Sequence, residues 1–185
     1  MGRTRRIMKD DILDAAERVV VKLGAARLSI DAVAQEAGVS KSTVVYDQKS
    51  KSALLEAMID RQVSAERKLL DQAVKDNADS AHPELFGRIS VAAPLLNGSD
   101  KAVAMAISAS IASDDKLLET MREWTVLDLK AMGDGPKPEA ALMAYLTLTG
   151  FYCTELFDFH TWDTAQRQNI LEGIVTIYAS YPDKG

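Results

Sequence analysis

The 185-residue chain contains a single cysteine, Cys153, so no internal disulfide staples its fold and no oxidising compartment is required. Histidine is almost as scarce, with His82 and His160 the two present. No H-x-x-x-H, C-x-x-C or E-x-x-H spacing occurs, nor a G-x-S-x-G turn, a phosphate-binding glycine loop or a dinucleotide fingerprint. No metal, no cofactor and no enzymatic activity are therefore expected. The longest run without a charge, residues 140–154, spans fifteen positions, short of the roughly 20 that a membrane span needs. The basic start Met1-Gly2-Arg3-Thr4-Arg5-Arg6 has no apolar stretch behind it, so a secretory signal is not expected either. Proline and glycine are few, five and ten, while 47% of the residues are hydrophobic and 26% charged. That balance excludes disordered, collagen-like and repeat-array chains and suits a soluble, cytoplasmic helical protein.

The net charge of −5 conceals an asymmetry. Residues 1–51 hold ten Lys/Arg against seven Asp/Glu, whereas residues 52–185 hold twelve against twenty. A basic N-terminal piece on an acidic protein suggests that this piece alone meets a polyanion. Arg3, Arg5, Arg6 and Lys9 add a basic arm suited to the phosphate backbone or the minor groove, or simply a solvated terminus.

Helical periodicity runs through nearly the whole chain. Ile12, Ala16, Val19, Val20 and Leu23 share one face of a first helix over 9–23, with Gly24 placed to end it. Ser29 is placed to cap a short helix over 30–37, and Ser40 a third reaching about Tyr46. After the break at Asp47-Gln48-Lys49, Ser50 opens a long helix to about Asp76. Further helices are expected over 84–96, 101–112, from Ser113 or Asp114 to about 132, over 138–157, and over 164–181 behind the capping-box pair Asp163 and Gln166. The count is about nine, with no strand.

Ile30 to Gln48 carries the most chemistry. Ala34 is a small residue at a helix contact, Gly38 a turn residue free to take positive φ, and Val33, Ala37, Val39 and Val44 an apolar lock. Lys41, Ser42, Thr43 and Tyr46 are then left facing outwards, all able to donate hydrogen bonds to phosphates or base edges. The helix start also presents backbone N–H groups to an anion. Double-stranded DNA is the expected partner.

The segments Ile12-Leu13-Asp14-Ala15-Ala16, Ser29-Ile30-Asp31-Ala32-Val33-Ala34, Ala37-Gly38-Val39-Ser40-Lys41-Ser42-Thr43 and Lys49-Ser50-Lys51-Ser52-Ala53-Leu54-Leu55 resemble the N-terminal domain of the TetR family of transcriptional regulators. The resemblance covers about fifty residues. It implies an all-α fold, with a three-helix helix-turn-helix domain over 1–51 and a larger helical ligand-binding and dimerisation domain over 52–185. It further implies a homodimer reading a palindromic operator and a repressor released by a small apolar ligand. The family's recognition helix falls on Ser40 to Tyr46 and its phosphate-contacting lysine on Lys51. The expected DNA-binding residues are Ser29, Ser40, Lys41, Ser42, Thr43, Tyr46, Lys49 and Lys51. The chain departs from the family at Val45, Asp47 and Gln48, which stand where a tyrosine, a histidine or aromatic, and an apolar residue are usual. Asp47 places a negative charge near the expected phosphate path.

In the C-terminal part, thirteen of the eighteen residues over 140–157 are apolar, with Glu155 the one charge. A helix so apolar must be covered on several sides. The last helix offers Ile170, Leu171, Ile174, Val175, Ile177, Tyr178 and Tyr181 as a stripe, so these two helices are the expected twofold interface. Phe86, Met105, Met121, Trp124, Met143 and Phe151 are the candidates for an apolar ligand cavity, with ordinary core the alternative for each. Cys153, Glu155, Asp158, His160 and Asp163 have ligand chemistry, but Cys153 and Glu155 fall on different faces of one helix, and a buried structural thiol is the better reading of Cys153. Two rival functions remain: a helical small-molecule binder that has lost DNA affinity, marked by Asp47 and Gln48, and an enzyme using the Cys153/His160 region.

Overall fold

A computed structural model of the chain describes residues 9–111 and 115–182. Among them there are nine α-helices, one 3₁₀ turn over Ala25–Arg27 and no strand. The helices are α1 Lys9–Leu23, α2 Ile30–Ala37, α3 Lys41–Asp47, α4 Lys51–Asp76, α5 Pro83–Ala92, α6 Gly98–Ile111, α7 Asp115–Gly133, α8 Pro138–Leu156 and α9 Thr164–Ser180. The chain folds as two compact units, one reaching Ser64 and adding Asn97–Ala109, the other formed by Ala65–Leu96 and the residues from Ser110 onwards.

The helix ends follow local chemistry. Ser29, Ser40 and Asp163 accept from the backbone N–H of the third residue into α2, α3 and α9, and Gln166 completes the capping box. Gly24 (φ 81°) and Gly38 (φ 69°) take the left-handed conformation after α1 and α2, which a side chain would strain. Arg3, Arg5 and Arg6 of the expected arm and the expected cap at Ser113 or Asp114 lie outside the described residues, while Lys9 of the arm is the first residue of α1. Two boundaries differ from the sequence reading. Helix α5 ends at Ala92, because Pro94 cannot supply the N–H that another turn needs. Helix α6 begins earlier, at Gly98, because Asn97 Oδ1 accepts from the N–H groups of Ser99 and Asp100. Leu23 also differs: with the helix ending beside it, its side chain is 50% exposed.

The first unit is built on an apolar core, with Gln48 buried at its edge. Ile12, Ala16, Val19 and Val20 of α1 meet Val33 of α2, Val44 of α3, and Leu54 and Met58 of α4. Each fully buried aliphatic chain here contributes about 1.5–3 kcal/mol by leaving water, which fixes the short helices α2 and α3 that would not persist alone.

The second unit centres on Leu85 and Ile89 of α5, Met132 of α7, Ala140, Ala144, Leu148 and Phe151 of α8, and Ile174 and Tyr178 of α9. Ile174 and Tyr178, expected at a twofold interface, thus belong to this core, and Ile170, Leu171, Val175, Ile177 and Tyr181 pack partly buried against it. Polar groups take part too. His82, 2% exposed, caps α5: its Nδ1 accepts from Leu85 N–H and its Nε2 is 3.2 Å from the carbonyl oxygen of Met132. That pairing defines the neutral ring with the proton on Nε2. Gly135 lies so close that a Cβ there would collide with the His82 ring.

Candidate nucleic-acid interface

The turn between α2 and α3 is closed by two hydrogen bonds, Gly38 N–H to Gln35 O and Val39 N–H to Ala34 O, at 3.2 and 2.9 Å. Ala34 and Val44 are buried behind it, so α3 is held by one face only. Its other face is open: Lys41, Ser42, Val45, Tyr46 and Asp47 are all exposed, Tyr46 to 87%. The ring and hydroxyl of Tyr46 are both open to a partner, the ring for apolar contact and the hydroxyl for a hydrogen bond.

The eight expected contact residues divide by what already occupies them. Ser29, half-buried, is spent on capping α2. The hydroxyls of Ser40, Ser42 and Thr43 form a local cluster, with Ser40 Oγ 2.8 Å from each of the other two and also accepting from Thr43 N–H. Lys41 Nζ donates to Asp31 Oδ2 at 3.0 Å. Lys51 Nζ donates to the carbonyl of Ala26 at 3.3 Å, tying the start of α4 to the 3₁₀ turn. Tyr46 and Lys49 are exposed, and Lys49 has no ion pair among the described residues.

Sequence reasoning missed how far acidic residues neutralise this unit. Arg18 and Lys22 both bond Glu36, at 2.8 and 2.9 Å, and together hold its carboxyl below the usual glutamate range. Arg61 reaches Asp14 and Glu17. Of the cations in the basic piece over 1–51, Arg18, Lys22 and Lys41 are therefore paired within the protein, while Arg27 and Lys49 are not paired among the described residues. The departures from the family pattern resolve differently from one another. Gln48 is buried at the end of α3 and occupies the interior position of the usual apolar residue, whereas Val45 and Asp47 face solvent.

Of the six side chains expected to line a ligand cavity, five belong to the second compact unit. Met105 belongs to the first compact unit and is half exposed. Phe151 is core, with the guanidinium of Arg167 5.6 Å above its ring and Trp162 tilted against it. Phe86 meets the Tyr178 ring edge-on, and Met121, Trp124 and Met143 are half-buried. None of the six lines the open groove of about 360 Å³ in the first unit, whose walls are Asp14, Glu17, Arg18, Val21, Lys22 and Ser99.

Glu155, the single charge of residues 140–157 and so of all but the first turn of α8, turns inwards. Its carboxylate takes two hydrogen bonds from Arg167, at 2.6 and 2.9 Å, and the same guanidinium donates to the carbonyls of Ala92, Ala93 and Pro94. The signal was present in the sequence, since a lone charge on an apolar helix must find a partner if buried. Cys153 is half-buried rather than buried. Among the described residues no three His, Cys, Asp or Glu side chains gather as a metal site, and no helix is long and apolar enough to cross a membrane.

Residues 12–58 match the family model described as bacterial regulatory proteins, tetR family, and residues 86–178 match the tetracyclin repressor-like C-terminal domain. The chain belongs to the TetR family. Solved structures carry the same architecture across the TetR fold. A Saccharomonospora viridis protein assigned as a transcriptional regulator and solved with choline is 16% identical, with a TM-score of 0.69, covering 93% of this chain and 95% of its own. A TetR family transcriptional regulator from Pseudomonas syringae pv. tomato is 20% identical at a TM-score of 0.62, covering 98% and 100%. The SmeT–triclosan complex is 20% identical at 0.60, covering 90% and 89%. No curated protein gives a significant match. This TetR-family chain therefore has the helix-turn-helix of a transcriptional regulator in its first unit.

Proposed function

We propose that the chain is a sequence-specific DNA-binding repressor that a small apolar ligand releases from its operator. The observation that carries this reading is the face of α3: a helix start and the exposed side chains of Ser42 and Tyr46, with Thr43 half-buried between them, on a helix whose opposite side is locked into the core. Base edges in a major groove are what such a face can read. Lys49 and Lys51 flank it as phosphate contacts. The division of labour is a DNA-binding domain over 1–51 and a ligand-binding and dimerisation domain over 52–185, in a cytoplasmic homodimer.

The dimer is proposed through α8 and α9. Leu146 is exposed on α8, and neither Gly150 of α8 nor Gly173 of α9 has a neighbour within 4 Å of where a Cβ would stand, which leaves room for another helix. The ligand is proposed to enter the second unit near Phe86, Met121, Trp124 and Met143. Arg88 supports this: it bonds Asp128, lies over the Tyr145 ring, and keeps a buried Nε with no hydrogen-bond partner. An orphaned buried donor is what a ligand acceptor would satisfy.

A gel shift with the DNA upstream of the chain's own gene tests the reading. A retarded complex that Tyr46→Ala or Thr43→Ala redirects among operators, and that Lys51→Ala weakens on all sequences, is the expected result. Binding of a small molecule without any binding of DNA would instead favour the helical ligand-binder reading, which the exposed Asp47 favours. Monomers alone at micromolar concentration would overturn the dimer.

A further inference from the structure

The recognition helix carries one cation, and the protein itself already holds it. Lys41 Nζ meets Asp31 Oδ2 at 3.0 Å, with the two side chains 63% and 70% exposed. Asp31 lies in the first turn of α2, where the positive helix end favours a carboxylate. Val33 of α2 and Val44 of α3 are both buried in one core, so the two charges are presented by helices fixed against each other. The other outward groups of α3 are neutral or acidic: Ser42, Val45, Tyr46 and Asp47.

We infer that Asp31 is a specificity-determining residue, which withholds Lys41 from the phosphates of arbitrary DNA and yields it only where an operator base offers a well-placed acceptor. The inference rests on the DNA-binding reading above. Affinity for arbitrary sequence comes almost entirely from cations neutralising phosphates. A lysine engaged by a carboxylate neutralises none, and the carboxylate repels the backbone as well. An exposed pair is nevertheless weak enough to exchange. The paired oxygen and nitrogen acceptors on the major-groove edge of guanine are the kind of group that can draw the ammonium away. Asp31 thus lowers binding everywhere and lowers it least at the correct site, so the ratio between operator and random DNA rises.

A double-mutant cycle on the full chain tests this. Wild type, Asp31→Asn, Lys41→Gln and the double variant are titrated across a salt series. The probes are a random-sequence duplex and a duplex selected by the wild type from a random pool. Asp31→Asn is expected to tighten random-duplex binding about two- to fivefold, with a smaller change on the selected duplex. It should also steepen the salt dependence by about one unit. Lys41→Gln should weaken random-duplex binding in the Asp31→Asn background and leave it nearly unchanged in the wild-type background. Circular dichroism confirms that each variant is folded. An equal loss from Lys41→Gln in both backgrounds, or an unchanged salt slope in Asp31→Asn, overturns the inference while leaving the DNA-binding reading intact. If neither wild type nor Asp31→Asn binds any duplex at low salt, the DNA-binding reading fails and the inference falls with it.

Discussion

Around the first core, Arg18 and Lys22 share Glu36, Lys41 meets Asp31, and Arg61 reaches Asp14 and Glu17, all at or near the surface of an interior that holds no buried charge among the described residues and Gln48 as its buried polar side chain. The second unit takes its charges inside. Arg167 and Glu155 are 5% and 8% exposed, Arg88, Asp128 and Tyr145 join α5, α7 and α8, and His82 is spent on a helix cap. An exposed pair can change partners at little cost, whereas a buried one is tied to every group around it. On the proposed DNA-binding reading, cations of the first unit can exchange their carboxylate partners for phosphates without unfolding the domain. The second uses its charges to set where helices end, as Arg167 does at the three carbonyls that close α5.

The strongest way to break this contrast is to remove one partner of the buried pair. Arg167→Met leaves Glu155 desolvated and uncompensated, and should cost about 3–5 kcal/mol. Urea unfolding followed by the fluorescence of Trp124 and Trp162 measures it, since both tryptophans lie in the second unit. Adding Glu155→Leu should return most of the loss; a double variant as unstable as the single one would show that the pair is not the buried unit described here. In the first unit the comparable damage comes from the apolar core instead. Leu54→Ala removes a fully buried side chain and should cost about 2–5 kcal/mol, while Glu36→Gln should leave the unfolding midpoint unresolved from wild type.

A smaller effect is expected at His82. His82→Ala removes the acceptor that caps α5 and the bond to the Met132 carbonyl, for about 1–2 kcal/mol. His82→Asn keeps a capping acceptor and should recover part of that loss. Equal losses for the two variants would show that packing beside Gly135 and Tyr178, rather than the cap, is what the ring supplies.

The smallest effects sharpen the comparison through pH, at opposite ends of the scale. Hydrogen bonds from Lys22 and Arg18 lower the Glu36 carboxyl on folding. A depressed acid stabilises fully above its unfolded value, and that stabilisation disappears as pH falls through the folded one. Burial and then the charge of Asp128 raise the Tyr145 hydroxyl. Its stabilisation is complete below the ordinary tyrosine value of about 10 and disappears as pH rises through the raised one. The first unit should lose its contribution towards acid and the second towards alkali. Carboxyl chemical shifts and tyrosinate absorbance follow the two titrations; a Tyr145 that ionises with the free amino acid would remove the hydrogen bond to Asp128 from the account.

Helix existence was legible because its signals are local. Ser29, Ser40, Asp163 and Gln166 act on backbone groups three residues away, and the spacing of Ile12, Ala16, Val19 and Val20 determines a buried face without reference to any other part of the chain. The α2–turn–α3 geometry was legible for the same reason, since the left-handed conformation of Gly38 is a property of one residue type. The outward placement of Tyr46 followed from that periodicity. The family resemblance added the expectation of DNA, ligand and dimer.

What the sequence could not supply was pairing between residues far apart in it. Charge counting found a basic N-terminal piece, yet Glu36 and Asp31 neutralise Arg18, Lys22 and Lys41 across helix boundaries, and counting has no knowledge of distance. The stripe of α9 read as a twofold interface, because a helix does not record what covers it; the fold shows that Ile174 and Tyr178 are already buried in the chain's own core with α5 and α8. Glu155 looked like a metal ligand by residue type and became the partner of Arg167, twelve positions away. Local bonds fix where helices begin and end from sequence alone; which charges are free, and for what, depends on through-space neighbours that only the folded chain brings within reach.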